Sequence, residues 1–242
     1  MVNPILSFYN IKKIFGSKEV LKDVSFYVEE GDILGFVGKS GGGKSTFLNI
    51  LLGILNPNSG KIYFRNKNVT KKSKELKKEI GFVSQDNSLF PELTLKENSY
   101  YFGRLYSVNK NSIKQRFSNF VKLLGFEGFE NSKLSTFSGG MVKRANILVS
   151  LIHNPKILIL DEPTVGLDSI LREELWRYIK ELNKKEKITV LLVTHLLNEV
   201  DNNCNKIAVL KEGQIFSLAK LNEYHKVYGN KSFSDIFKEI MK

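Results

Sequence analysis

Short apolar runs punctuated by glycines open the chain. Leu6 to Tyr9, Val24 to Val28 and Lys61 to Phe64 read as strands set apart by Gly16, Gly31 and Gly60, and predict an antiparallel sheet. Asp32 to Val37 is different, a continuous apolar run of the kind found in strands buried on both faces of a parallel sheet. A glycine-rich turn follows, then a helical stretch from Ser45 to Leu55 that stops near Pro57. Three more strand-like runs, Ile80 to Val83, Ile157 to Leu160 and Thr189 to Val193, alternate with helices, which is the pattern of a parallel α/β core.

The alternation breaks between about Asn87 and Asn154. Helices are predicted there over Thr94 to Tyr106, Ser112 to Leu124 and Gly140 to Ile152. In the last of these Val142, Ala145, Leu148, Val149 and Ile152 recur at helical spacing and predict one buried face. Ile207 to Leu210 and Ile215-Phe216, joined by Lys211-Glu212-Gly213-Gln214, predict a hairpin, and Lys220 to Lys242 one or two short amphipathic helices. The organisation expected is therefore an α/β core over 1–86 and 155–219 that includes an N-terminal antiparallel β subdomain, an inserted α-helical subdomain over 87–154, and a short helical tail over 220–242.

Composition changes this picture little. A chain of 242 residues, 42% hydrophobic and 26% charged, can bury a sizeable core. No apolar run approaches the roughly 18 residues needed to cross a bilayer. Met1 to Asn10 lacks the basic segment and apolar core of a signal peptide, so the chain is expected to be soluble and to stay inside the cell. The lone Cys204 rules out an internal disulfide, fits a reducing compartment and reads as an incidental thiol. The net charge of +12 raises nucleic acid or anionic lipid as partners. Its cations are mostly lysines, however, whereas bidentate contacts to phosphate favour arginine. The densest run, Lys71 to Lys78, reads as a solvated loop and helix face, and no nucleic-acid partner is expected.

The chemistry begins at Gly38-Lys39-Ser40-Gly41-Gly42-Gly43-Lys44-Ser45-Thr46, a full match to G-x-x-x-x-G-K-[ST]. Glycines let consecutive amide N–H groups turn inward around a phosphate, and the helix that follows offers its positive end. Lys44 can reach the β- and γ-phosphates, and Ser45 can place its hydroxyl on Mg²⁺. A strand before and a helix after the loop predict a P-loop NTPase core and a nucleotide site. Lys156-Ile157-Leu158-Ile159-Leu160-Asp161-Glu162-Pro163 is an apolar strand ending in adjacent carboxylates. The carboxyl ends of parallel strands face the ligand crevice of an open α/β sheet. Asp161 can hold Mg²⁺ there, and Glu162 can accept a proton from, or orient, an attacking water.

With these two elements the sequence resembles the nucleotide-binding subunit of ATP-binding-cassette (ABC) transporters over nearly its whole length, and its tail Lys231-Ser232-Phe233-Ser234-Asp235-Ile236-Phe237-Lys238-Glu239-Ile240 is similar to the short tails of the exporter branch. Phe137-Ser138-Gly139-Gly140-Met141 is similar to the family's signature sequence. Ser138 reads as a helix N-cap, and the glycines leave backbone N–H groups open at the helix end. The resemblance implies that Ser138, Gly139 and Gly140 close on the γ-phosphate of a nucleotide held by a partner cassette, so that two cassettes act head to tail. It further implies that Gln85 touches Mg²⁺ and water and relays to the membrane partner. By the same resemblance Asp168 of Gly166-Leu167-Asp168 meets the other cassette, and His195 contacts the γ-phosphate. Glu162, His195, Gln85 and Lys44 are the implied catalytic set, and Ser45, Gln85 and Asp161 the implied metal-binding set.

Departures from the commonest family pattern are few. Phe15 stands where a tyrosine usually stacks on adenine, and a phenyl ring keeps the stacking. Phe137 replaces a leucine, and Met141 a glutamine. The resemblance thus implies ATP and Mg²⁺ as ligands, a membrane permease and a second ATP-binding subunit as partners, and a place at the cytoplasmic face of the cell membrane. Aromatic residues after Gln85, including Phe90, Tyr100, Tyr101, Phe102 and Tyr106, lie where family members receive a helix of the membrane subunit. A soluble ABC ATPase that remodels nucleic acid or ribosomes is the alternative. Such relatives usually carry paired cassettes, a coiled-coil insertion or metal-binding cysteines, none of which is seen in this sequence.

Overall fold

The computed structural model describes residues 4–70, 73–229 and 231–242. Met1 to Asn3, and Lys71 and Lys72 of the lysine-rich run, lie outside the described residues, as does Asn230 in the tail. In chain order the first elements are β1 (Pro4–Phe15), β2 (Lys18–Glu29), β3 (Ile33–Gly38), α1 (Lys44–Leu51), β4 (Ser59–Phe64), β5 (Lys67–Asn68) and α2 (Ser73–Glu79). There follow β6 (Ile80–Val83), α3 (Leu95–Leu105), α4 (Lys110–Leu123), α5 (Gly139–Leu151), β7 (Ile157–Asp161) and α6 (Ser169–Glu186). The chain closes with β8 (Thr189–Val193), α7 (Leu197–Asn203), β9 (Lys206–Lys211), β10 (Gln214–Lys220), α8 (Leu221–Tyr228) and α9 (Phe233–Ile240). The chain separates into two compact units, one formed by Met1–Lys77 with Thr189–Lys242 and the other by Lys78–Ile188.

In the first unit the strands run in the order β5-β4-β1-β2-β10-β9-β3-β8. The expected antiparallel sheet is present, with β1 pairing against both β2 and β4. Its first two strands are longer than predicted, because Gly16 at φ 58° turns a hairpin that continues pairing as far as Phe15 and Lys18. On the other side β3 lies parallel to both β8 and β9, and all six of its residues are buried, as its unbroken apolar run requires. The helix after the glycine loop ends at Leu51, short of the predicted Leu55, because Gly53 adopts φ 64° and the amides of Ile54 and Leu55 both turn back to the Asn49 carbonyl. Phe47 of α1 packs among Phe8, Phe26 and Phe36, with ring centroids 4.9, 5.4 and 4.7 Å away. This aromatic cluster fixes the loop-bearing helix to the sheet. The predicted hairpin is β9–β10, and the tail, expected to hold one or two helices, holds α8 and α9.

The second unit holds the parallel pair β6–β7 with α3, α4, α5 and α6. Thr94, predicted to begin the first helix, caps it instead in a reciprocal capping box with Glu97. Asn109 caps α4 without a capping box, its side chain accepting one bond from the Ser112 amide. Helix α5 is buried more widely than the predicted single face, with Asn146, Ile147 and Leu151 joining Ala145, Leu148 and Val149. Among the described residues no helix is long and apolar enough to cross a membrane.

Candidate functional site

The glycine-rich loop leaves the carboxyl end of β3 in the first unit. At Gly38 a β-carbon would stand 2.6 Å from the Leu210 carbonyl of β9, so only glycine fits between these strands. The Gly42 amide bonds the Lys39 carbonyl at 3.0 Å, and Gly41 (φ 73°) and Gly43 (φ 104°) take left-handed conformations that glycine adopts readily. Gly43 forms the N-cap of α1, and no side chain caps that helix, which leaves its first amides to the loop. Lys44, first in the helix, donates from Nζ to the carbonyls of Gly38 (2.8 Å) and Lys39 (3.2 Å), lying across the loop. Ser40, Gly41 and Ser45 are exposed, and Thr46 is half-buried.

Phe15 and His195 belong to the same unit. Phe15 ends β1, is 46% exposed and has the Lys13 ammonium over its ring, 5.1 Å from the centroid. His195 follows β8 as an exposed residue. Beside it the buried Thr194 accepts the Leu196 amide at 3.0 Å, which shapes the turn into α7.

In the second unit β7 is buried from Ile157 to Leu160 and releases Asp161 half-buried. Glu162 comes next, at φ 49° and only 9% exposed. A left-handed conformation in a non-glycine residue costs on the order of 1 kcal/mol and is commonly retained where function demands it. Amides of Val165 and Leu167 bond the carbonyls of Glu162 (3.3 Å) and Thr164 (3.1 Å), forming the turn that carries Gly166 and Asp168. Asp168 is exposed and N-caps α6, accepting the Leu171 amide at 2.9 Å, a structural task the sequence had not announced.

Ser138 does cap α5, accepting the Met141 amide at 3.3 Å. Gly139 is exposed with open space where a β-carbon would project, whereas Gly140 is buried 3.1 Å from the Leu171 side chain. Gly139 therefore leaves the start of α5 open, and Gly140 is explained by the approach of α6. Phe137 stacks on Phe126 at 5.6 Å, a packing role as its replacement of leucine implied. Strand β6 ends at Val83, as predicted, and Gln85 stands in the loop beyond it, exposed.

Sequence reasoning missed two residues that shape this region. Lys143 of α5 donates from Nζ to the Gln85 carbonyl at 2.6 Å, tying the loop to the helix that Ser138 caps. Burial lowers the Lys143 pKa, and the nearby Asp86 carboxylate opposes that shift. Asn98, fully buried in α3, accepts the Phe90 amide at 2.9 Å and donates to the carbonyls of Phe90 (3.0 Å), Leu93 (3.3 Å) and Thr94 (3.0 Å). It thereby holds the loop after Gln85 that carries Phe90, 42% exposed, beside Tyr101 of α3, 46% exposed. An asparagine inside a predicted helix was the one available signal.

Among the described residues no group of three or more His, Cys, Asp or Glu side chains could hold a metal ion by itself. The hydroxyl of Ser45, in the first unit, and the carboxylate of Asp161, in the second, are each a hard oxygen donor of the kind magnesium takes, one or two at a time, beside a substrate's phosphates.

The chain matches the ABC transporter family over residues 21–165. It is similar to the linearmycin resistance ATP-binding protein LnrL of Bacillus subtilis, 34% identical over 209 residues that make up 86% of this chain and 67% of that protein. It is also similar to the Nod factor export ATP-binding protein I of Bradyrhizobium diazoefficiens, 33% identical over 88% of this chain and 69% of that one. Among solved structures, cbiO1 of Clostridium perfringens, part of the ABC transporter complex cbiONQ, superposes with a TM-score of 0.84 at 29% identity, covering 98% of this chain and 99% of that chain.

Proposed function

Because this chain belongs to the ABC transporter family, as an ATP-binding subunit that hydrolyses ATP, we propose that it pairs head to tail with a second cassette around two ATP molecules and drives a separate membrane-spanning permease. The observation that carries the reading is the strand–loop–helix run from β3 through Gly38–Lys44 into α1, with glycines where the backbone must turn and a lysine across the loop. Export is the direction we infer, in line with the names of the linearmycin resistance and Nod factor export relatives. The exposed Phe90 and Tyr101 are the surface proposed to receive the permease.

Phosphoryl transfer asks a protein for positioning and charge stabilisation more than for covalent chemistry. In this reading the amides of residues 39–45 and the Lys44 ammonium bind the β- and γ-phosphates, and Phe15 stacks on the adenine. Ser45, Asp161 and Gln85 are the proposed magnesium ligands, and the ion would offset phosphate charge. Glu162 orients the attacking water and takes its proton, while His195 holds the γ-phosphate. Ser138 and Gly139 act on the nucleotide of the partner cassette, with Asp168 at the same junction.

Glu162→Gln keeps the side chain's shape and removes its basicity. Steady-state ATPase assays are expected to show turnover lowered about 10²-fold or more, with nucleotide binding retained. Lys44→Ala is expected to weaken ATP binding itself, read by fluorescent-nucleotide titration. Parental turnover in Glu162→Gln would remove Glu162 from the reaction.

A further inference from the structure

Helix α9 is fastened at both ends to segments that flank the glycine loop and His195. At its start Ser232 caps it through the Asp235 amide (3.2 Å), and the Phe233 amide donates to Asp201 Oδ2 of α7 at 3.2 Å. Phe233 and Ile236 are fully buried, and Phe233 meets the Tyr224 ring edge-on at 5.3 Å. At its end the Met241 carbonyl accepts from Lys39 Nζ at 3.1 Å, and the Ile240 carbonyl accepts from Lys211 Nζ at 2.7 Å. The last carbonyls of a helix lack intrahelical partners and carry its negative dipole end, so two ammonium groups there are held by charge as well as by hydrogen bonds.

Both lysines lead to the phosphate loop. Lys39 is its second residue, and its carbonyl accepts both the Gly42 amide and the Lys44 ammonium. Lys211 ends β9, whose Leu210 lies opposite Gly38 across the parallel ladder. Helix α7, at the other end of the clamp, begins two residues after His195.

We infer that α9 is a clamp that positions the phosphate loop. Its terminal carbonyls hold the Lys39 side chain and so keep residues 39–43 in the conformation that receives a triphosphate, while its first turn steadies the segment behind His195. Lys39 is then a positioning residue that points to a helix end, although its place in the motif suggested contact with nucleotide. The inference rests on the proposed function in so far as the loop binds ATP.

The test compares Lys211→Met, Lys39→Met, Lys39→Arg and the double Lys39→Met/Lys211→Met in the full chain. Three quantities are read: Kd for fluorescent ATP, KM and kcat for ATP, and amide hydrogen exchange of residues 39–43 without nucleotide. Each single Met variant is expected to raise Kd and KM about 3- to 10-fold, the net scale of one ordinary lost hydrogen bond, with kcat within about twofold. Exchange of the loop should quicken by a similar factor. Lys39→Arg should restore all three, and the double variant should be less impaired than the product of the singles. Unchanged affinity and exchange in Lys211→Met, or singles whose effects multiply, would overturn the clamp. If the parental chain itself bound no ATP, the proposed function would fail, and the exchange measurement would still decide for or against the clamp.

Discussion

Glu162 holds its carboxylate on a backbone at φ 49°. Glycine adopts that conformation without the Cβ clash that burdens other residues, which costs them roughly 1–2 kcal/mol. Glu162→Gly is therefore expected to melt above Glu162→Ala, by up to about 1 kcal/mol in thermal unfolding, although both lack the carboxylate. His153 supplies a second test at this scale. Its ring stacks on Tyr106 with centroids 3.8 Å apart, and Nε2 lies 2.9 Å from the Ile80 carbonyl. Burial, reinforced by the Arg116 charge and opposed by the Ile80 carbonyl, lowers its pKa from 6.5 to about 4. The folded protein then resists a proton that the unfolded chain accepts below about pH 6.5. Stability should fall as pH drops from about 6.5 to about 4 and level off below that, by up to about 3 kcal/mol. His153→Phe should flatten that segment of a melting-temperature profile. Lys44, Glu162 and His195 were singled out as candidates because their neighbours in sequence mark them. Lys143 was not, because its partner Gln85 is 58 residues away.

At the scale of elements the periodicity of the chain located β1–β4, β6–β10, α1 and α3–α5 and misjudged mainly their ends, while α6 and α7 were implied only by the alternation of strands and helices and given no bounds. Thr94 looked helical and is a cap; Leu52 to Leu55 looked helical and unwind at Gly53. Helix α5 misled for a different reason. A one-faced pattern was read from Val142 to Ile152, yet α5 packs against α3, α4, α6 and β6, so that burial spreads around it. How many neighbours a helix has is a property of the fold rather than of its own spacing. Asn98 shows the same limit, since its worth lies in the loop it holds. Asn98→Ala would leave the Phe90 amide and three carbonyls without that partner. It is expected to destabilise the chain by about 2–4 kcal/mol in urea unfolding and to quicken hydrogen exchange over residues 90–94.

For the whole molecule, the alternation of strands and helices carried the α/β assignment, and the family match agrees with it. The excess of +12 charges decided nothing about function, because lysines on a solvated surface and lysines facing a partner read alike in sequence. If two cassettes close on nucleotide as proposed, a variant that binds ATP without consuming it should accumulate in the closed form. Glu162→Gln is expected to double its apparent mass in size-exclusion chromatography with ATP and to remain at the smaller mass with ADP.

Strand β5 is only two residues long, both exposed, and among the described residues it pairs with β4 alone. Lys67 places an ammonium on that border, bonded to Glu75 at 2.8 Å. Such a margin presents too few open amides and carbonyls to recruit another polypeptide, and its charge deters close approach. Concentrated preparations should consequently resist fibrillar stacking through this margin.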